Sequence, residues 1–137
     1  MRTMLTAFRR SLFIVMLLAA GVALQAAPAM ANNALPAELA AFKKEAEEAF
    51  RSKNMETVRT VFHPDFKTDG RSLAQQIDYL SVYVPMFQNW ELAIHGFAPD
   101  GELLKLDAEY KTGVGNFPET VHLKRHEGKW RFYGNQK

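Results

Sequence analysis

The sequence predicts one α+β domain in which three helices precede an antiparallel sheet. Up to residue 88, apolar residues recur every three or four positions, which is the period of a helix with one buried face. After residue 88, apolar and polar residues alternate in four short runs joined by turn residues, as in an antiparallel sheet with one wet face. Helices that precede such a sheet are expected to cover its apolar face.

The first 31 residues have the layout of a cleavable signal peptide. A basic segment, Met1–Arg10, precedes the apolar run Leu12–Leu24, and small residues at 29–31 precede the expected cleavage site before Asn32. The apolar run is shorter than the about 20 residues that a membrane-spanning helix needs. We therefore expect a bacterial protein that is periplasmic or secreted, and that has no membrane contact after cleavage.

Removal of this leader changes the charge of the chain. Three of the 17 Lys and Arg residues lie in it and none of the 15 Asp and Glu residues, so the mature domain, residues 32–137, has a formal charge of −1 instead of +2. This balance argues against nucleic acid as a partner. The lack of cysteine excludes disulfides and a cysteine nucleophile, and the four scattered histidines indicate no metal site. We expect no cofactor. The pair Arg9-Arg10 leaves open whether export follows the general or the twin-arginine route.

Helix signals divide the first half of the mature domain. A stripe that ends at Phe50 predicts a first helix over residues 35–52. Asn54 is a predicted N-cap of a second helix that keeps Val61 and Phe62 on its buried face and ends before Pro64. A short strand is predicted at 66–68. The third helix follows a turn, and Ser72 and Gln75 have the spacing of a capping box at its start.

The four predicted strands present one apolar face and one polar face. A connection over Thr112–Pro118 separates the second strand from the third. The apolar face holds Trp90, Leu92, Ile94, Leu104, Leu106, Ala108, Tyr110, Val121, Leu123, Trp130 and Phe132. The opposite face holds Glu91, His95, Asp107, Glu109, His122, Lys124, Arg131 and Tyr133. Because that face is charged and has few large apolar residues, we expect a weak homodimer at most.

Three short motifs resemble those of a known superfamily. They are Phe50–Glu56, then Val61–Phe66 followed by Asp69-Gly70-Arg71, and finally Gly128-Lys129-Trp130. In this order and spacing they resemble the nuclear transport factor 2-like superfamily, and most closely its small SnoaL-like and ketosteroid-isomerase-like bacterial members. The resemblance implies a cone with a cavity between the helices and a curved sheet. It implies no single function, because this fold hosts isomerases, dehydratases, hydrolases and binding modules.

Three residues are candidates for catalysis in such a cavity. Asp69 lies near the position of the catalytic base in ketosteroid isomerases, His63 flanks Pro64, and Tyr110 is on the apolar face of its strand. Ordinary structural roles compete with the first two, since Asp before Gly forms turns and a His can interact with a helix end. The first helix lacks the tyrosine that ketosteroid isomerases use as an oxyanion donor, so Tyr110 or Arg125 would have to replace it.

Candidate ligand contacts come from the aromatic residues and from two charged ones. Tyr79 and Tyr83 are four residues apart on the third helix, and Arg125 shares the strand parity of Leu123 unless the strand ends at Lys124. The predicted ligand-binding residues are Phe50, Phe62, Asp65, Tyr79, Tyr83, Tyr110, Arg125 and Trp130.

Three functions remain open on these grounds. The first is an exported module of the cell envelope that binds a small molecule or a peptide. The second is a cofactor-independent isomerase, dehydratase or hydrolase, which requires an acid and a base within reach of each other in an apolar pocket. The third is a module that docks on another envelope protein, which requires an exposed apolar patch.

Overall fold

The computed structural model describes residues 34–136, so the predicted signal peptide and its cleavage site lie outside the described residues. The helices are α1 (Ala37–Ser52), α2 (Met55–Arg59) and α3 (Leu73–Tyr83), and a 3₁₀ turn, Val84–Met86, follows α3. The strands are β1 (Phe62–Thr68), β2 (Arg71–Ser72), β3 (Glu91–Asp100), β4 (Leu103–Lys111), β5 (Asn116–His126) and β6 (Lys129–Gly134). Among the helices of this part of the chain, none is long and apolar enough to cross a membrane.

The predicted α+β class is confirmed, but the sheet has six strands and is mixed. Their order is β2-β1-β6-β5-β4-β3, and all neighbours are antiparallel except β1 and β6. The prediction that the second helix extends to Pro64 is wrong, because α2 ends at Arg59 and β1 begins at Phe62. An apolar pair such as Val61-Phe62 fits a helix or a strand equally well. Pro64 is tolerated because it lies where the β1–β6 pairing is irregular.

Helix α1 packs its apolar stripe on the inner face of the sheet, as predicted. Phe42 contacts Phe132 edge to face, with ring centroids 4.9 Å apart, and Phe50 stacks on Trp90 at 4.1 Å. Glu47 adds a hydrogen bond between α1 and β3, since its Oε2 accepts from the backbone N–H of Leu92 at 3.1 Å. These contacts fix α1 against both β6 and β3.

Both predicted helix caps are confirmed. The Asn54 side chain accepts hydrogen bonds from the N–H groups of Glu56 and Thr57, at 3.0 and 3.3 Å. Ser72 accepts from the N–H of Gln75, and the Gln75 side chain accepts from the N–H of Ser72, which completes the capping box. This capping box defines the first residue of α3.

The connection between β4 and β5 is shorter than predicted, since β5 begins at Asn116. The Thr112 hydroxyl donates to the carbonyl of Gly115 at 2.9 Å and closes the turn. Pro118 lies opposite Glu109 of β4, and β6 pairs with β5 only from His122 onwards, so β5 has an unpaired side at Pro118, where a missing N–H is tolerated. The longer strand brings Phe117 and Glu119 to the inner face beside Val121.

Candidate functional site

A cavity of about 320 Å³ lies between α3 and the inner face of the sheet. This volume is at the lower end of the range of small-molecule sites, which is about 300–1,000 Å³. Ten of its 18 lining residues are aromatic, and they are Phe50, Phe62, Phe66, Tyr79, Tyr83, Phe87, Trp90, Tyr110, Phe117 and Phe132.

Parallel rings form one wall of this cavity. Phe50 and Trp90 are stacked with an interplanar angle of 6°, and Trp90 and Tyr110 follow at 5.6 Å and 21°. The three rings come from α1, the segment before β3, and β4. Aromatic rings attract one another in offset-stacked or edge-to-face arrangements, so a lining built from such rings favours an apolar aromatic molecule.

The mouth of the cavity is marked by lining residues that are also exposed. Tyr79, Tyr83 and Phe117 are 43%, 41% and 51% exposed. The two tyrosine rings contact each other at 4.7 Å, and the guanidinium of Arg71 lies 4.4 Å above the ring of Tyr79. A ligand can therefore reach the cavity beside α3.

Tyr110 and Glu119 form an acidic pair inside the cavity. Tyr110 pairs with Phe117 and Ala108 pairs with Glu119, so Tyr110 and Glu119 are diagonal neighbours on one face of the sheet. Burial raises the pKa of Glu119, while interaction with the Tyr110 hydroxyl lowers that pKa and Asp69 raises it. Burial also raises the pKa of Tyr110 well above its ordinary value, and the nearby Glu119 adds to the rise. The phenol thus stays protonated at neutral pH and can act as a donor.

Three buried polar atoms at the cavity find no hydrogen-bond partner within residues 34–136. They are Thr68 Oγ1, Arg71 Nε and Gln76 Oε1. All three residues line the cavity, from β1, β2 and α3. Thr68 pairs with Arg71 across β1 and β2, and α3 contacts both strands, so the three residues form a polar end of the cavity.

Five of the eight predicted ligand-binding residues line the cavity. They are Phe50, Phe62, Tyr79, Tyr83 and Tyr110. The apolar periodicity of the helices and strands was sufficient to place these residues, because it reports directly which side chains face the inner layer.

The structure places Asp69 and His63 outside the lining residues, and so does not bring them together with Tyr110. Asp69 is exposed in the β1–β2 turn, where its Oδ1 accepts a hydrogen bond from Asn135 Nδ2 at 2.6 Å. His63 is buried on the other side of β1, and its Nδ1 accepts from the N–H of Asp65 at 3.0 Å. Burial lowers the pKa of His63, and its ring packs on Tyr133 with centroids 5.4 Å apart.

Asp65, Arg125 and Trp130 also lie away from the cavity lining. Asp65 is exposed on β1. The guanidinium of Arg125 lies 4.2 Å above the ring of Trp130 and donates to Glu38 of α1. Trp130 is half-buried in a smaller groove beside α1, whereas Trp90 is the tryptophan of the cavity.

The polar residues of the cavity were missed from the sequence. Glu119 shares the strand parity of Val121 and Leu123, so extending that alternation two residues back from Val121 would have found it. The sequence marks Arg71 only as part of a family motif and Thr68 only as part of a short strand with no predicted facing direction. Within residues 34–136, no cluster of three or more His, Cys, Asp or Glu side chains could hold a metal ion.

Solved structures share this fold at low sequence identity. A nuclear transport factor 2-like protein of unknown function from Shewanella oneidensis has a TM-score of 0.55 and 9% identity over 71% of this chain and 93% of that one. Another, from Silicibacter pomeroyi, has a TM-score of 0.54 and 18% identity over 72% and 89%. Bd1075 from Bdellovibrio bacteriovorus has a TM-score of 0.53 and 12% identity over 70% of this chain. The match covers only 37% of the Bd1075 chain.

These similarities show a nuclear transport factor 2-like fold, as the sequence motifs indicate. No protein-family model matches the chain. No curated protein matches it either.

Proposed function

We propose that this protein is a binding module for a small, flat and largely apolar molecule. The observation that carries the proposal is the aromatic cavity, with the stacked rings of Phe50, Trp90 and Tyr110 as its wall. Its volume suits one small ligand, and the exposed residues Tyr79 and Tyr83 supply an entrance.

Naphthalene is a suitable first probe because it is flat and has no polar group. The chain has two tryptophans, so its N–H NMR spectrum contains two indole signals, one from the cavity and one from outside it. We expect a naphthalene titration to shift the Trp90 signal and to leave the Trp130 signal in place. The variant Trp130→Phe assigns the signals. No shift of the Trp90 signal at saturation, or equal shifts of both signals, would contradict the proposal.

A second candidate function, acid–base catalysis, is favoured by the Tyr110–Glu119 pair. An ionised Glu119 can remove a proton from the carbon beside a ketone, and the protonated Tyr110 can donate to the oxygen on which charge develops. Glu119 is the carboxylate beside Tyr110 in the cavity. Asp69 affects the pKa of Glu119 only through charge repulsion.

Hydrogen–deuterium exchange into 2-tetralone in deuterium oxide tests this second function. We expect exchange above the solvent rate, which Glu119→Gln lowers by about 100-fold, the lower range for a general base. The matched variant Asp69→Asn tests the base predicted from the sequence and should keep the rate. Exchange no faster than in solvent would leave binding as the function.

We further propose that the protein acts outside the cytoplasm. This rests on the layout of residues 1–31 alone. Expression in a bacterial host should yield a mature protein whose intact mass corresponds to a chain starting at Asn32. A mass that includes the first 31 residues would contradict export by cleavage.

A further inference from the structure

The polar end of the cavity has a defined pattern of donors and acceptors. Arg71 Nε can only donate a hydrogen bond, Gln76 Oε1 can only accept one, and the Thr68 hydroxyl can do either. Thr68 is only 5% exposed, and the named atom of each residue is buried without a partner among the described residues. Buried polar groups in folded proteins are almost always paired with protein, water or a ligand, so a ligand that displaces water from this end has to supply the same partners.

A ligand that satisfies this end needs both an acceptor and a donor. The acceptor would pair with Arg71 and the donor with Gln76. A carboxylate offers acceptors only, and an ammonium group offers donors only. A primary amide offers both on one planar group, and it continues the plane of an aromatic ring.

The charges around the polar end favour a neutral group as well. Glu119 lines the cavity, and Asp69 is close enough to raise the pKa of the Glu119 carboxyl. Arg71 also lines the cavity and lowers that same pKa. An anionic ligand would be attracted by the guanidinium but repelled by an ionised Glu119, and a cationic ligand would meet the reverse, whereas a neutral amide meets neither repulsion.

We propose that the cavity recognises an uncharged aromatic amide, with its ring against the stacked wall and its amide between Arg71 and Gln76. This inference rests on the proposed binding function, because the ring has to occupy the aromatic part of the cavity. It adds the class of the polar group, which the aromatic wall alone does not define.

Three matched ligands separate the two proposals, namely naphthalene, 2-naphthamide and 2-naphthoate. Their affinities follow from titration of the Trp90 indole signal at neutral pH. We expect 2-naphthamide to bind roughly tenfold tighter than naphthalene or more, since a site with unpaired polar groups discriminates strongly for a ligand that pairs them. We expect 2-naphthoate to bind more weakly than the amide.

Two variants test which residues carry this preference. Thr68→Val and Gln76→Met keep the side-chain size and remove the polar atoms, so each should lower the affinity for the amide more than the affinity for naphthalene and thereby reduce the preference for the amide. Thr120→Val, an exposed threonine on β5, is the matched control and should change neither. The dispersion of the N–H spectrum confirms that each variant is folded.

The outcomes are distinct. Binding of all three ligands with equal affinity, or tightest binding of 2-naphthoate, would overturn the amide inference and leave the binding function in place. A preference for the amide that survives both Thr68→Val and Gln76→Met would also overturn it. If none of the three ligands shifts the Trp90 signal, the proposed function fails together with the inference.

Discussion

At the scale of single residues, Gly134 allows a close approach of two backbones in the sheet. It has a φ of +97°, and a Cβ added to it would lie 1.8 Å from the carbonyl oxygen of Lys67 on β1. Gly134→Ala should therefore lower the free energy of unfolding by about 2–5 kcal/mol, through backbone strain and overpacking together. Urea denaturation measures this loss.

A second glycine separates strain from packing. Gly101, in the β3–β4 turn, has a φ of +63° and no atom within 4 Å of an added Cβ. Gly101→Ala should cost only about 1–2 kcal/mol, the penalty of the left-handed backbone. Equal losses of unfolding free energy for Gly134→Ala and Gly101→Ala would mean that β1 moves away from the added methyl group with no loss of stability.

Glu119 should make stability depend on pH in a defined direction. Its pKa in the folded protein is raised above the ordinary 4.5, chiefly by burial. The folded state therefore binds more protons than the unfolded chain between the two values, and the free energy of unfolding falls as the pH rises through that interval.

Glu119→Gln should remove this dependence. The unfolding free energy of the variant relative to the wild type should be constant below pH 4.5 and should increase as the pH rises above it. Glu102→Gln, in an exposed turn, is the control. Denaturation at a series of pH values tests the prediction, and a difference that falls with rising pH would contradict it.

At the scale of elements, the capping box of α3 should contribute both to stability and to binding. Ser72→Ala removes the acceptor for the N–H of Gln75 and should cost about 0.5–2 kcal/mol. Helix α3 carries Gln76, Tyr79 and Tyr83 of the cavity, so naphthalene binding should weaken as well.

Ser81→Ala in the same helix is the comparison for Ser72→Ala. The Ser81 hydroxyl only donates back to the carbonyl of Asp78, on the exposed side of the helix. Its removal should leave stability and binding close to wild type, because alanine has the higher helix propensity. If Ser72→Ala and Ser81→Ala lose the same stability and the same affinity for naphthalene, the capping box contributes nothing specific to either.

Signals that act over a few residues were predictable from the sequence, and pairings over long separations were not. The α1 stripe and the caps at Asn54 and Ser72 depend on neighbouring residues, and the structure contains all of them. The parallel pairing of β1 with β6 joins residues near 62 to residues near 132, and no local pattern reports it. The aromatic part of the site followed from parity, whereas Glu119 was missed because the alternation on its strand was followed only from Val121 onwards.

At the scale of the whole described domain, several charged residues predicted on the outer face of the sheet have partners within the same chain. His122 Nε2 lies 3.1 Å from Asp100 Oδ2, and the Lys124 ammonium lies 5.0 Å above the ring of Tyr133. Arg131, which was expected on this face in contact with solvent, is buried and donates to Glu45 of α1 at 3.1 and 3.2 Å. Much of the charge on this face is therefore already paired within the protomer.

We predict a weak homodimer at most from this surface. Paired charges gain little from a partner, and an obligate interface would need a larger apolar area. Sedimentation velocity over a micromolar concentration series should show a monomer, with any dimer appearing only at the upper end. A dimer that persists at nanomolar concentration would contradict the prediction.

The parallel β1–β6 pairing also has a consequence for the time course of folding. Strands β3 to β6 are joined in succession by hairpins, so each closes a short loop. Strand β1 meets β6 only across the whole of that meander, and α1 contacts β6 from still further along the chain. Because closure of long loops is slow, the meander should assemble first, and docking of residues 37–72 should set the rate. The aromatic cavity then comes into existence only in this last step, since both halves supply its walls.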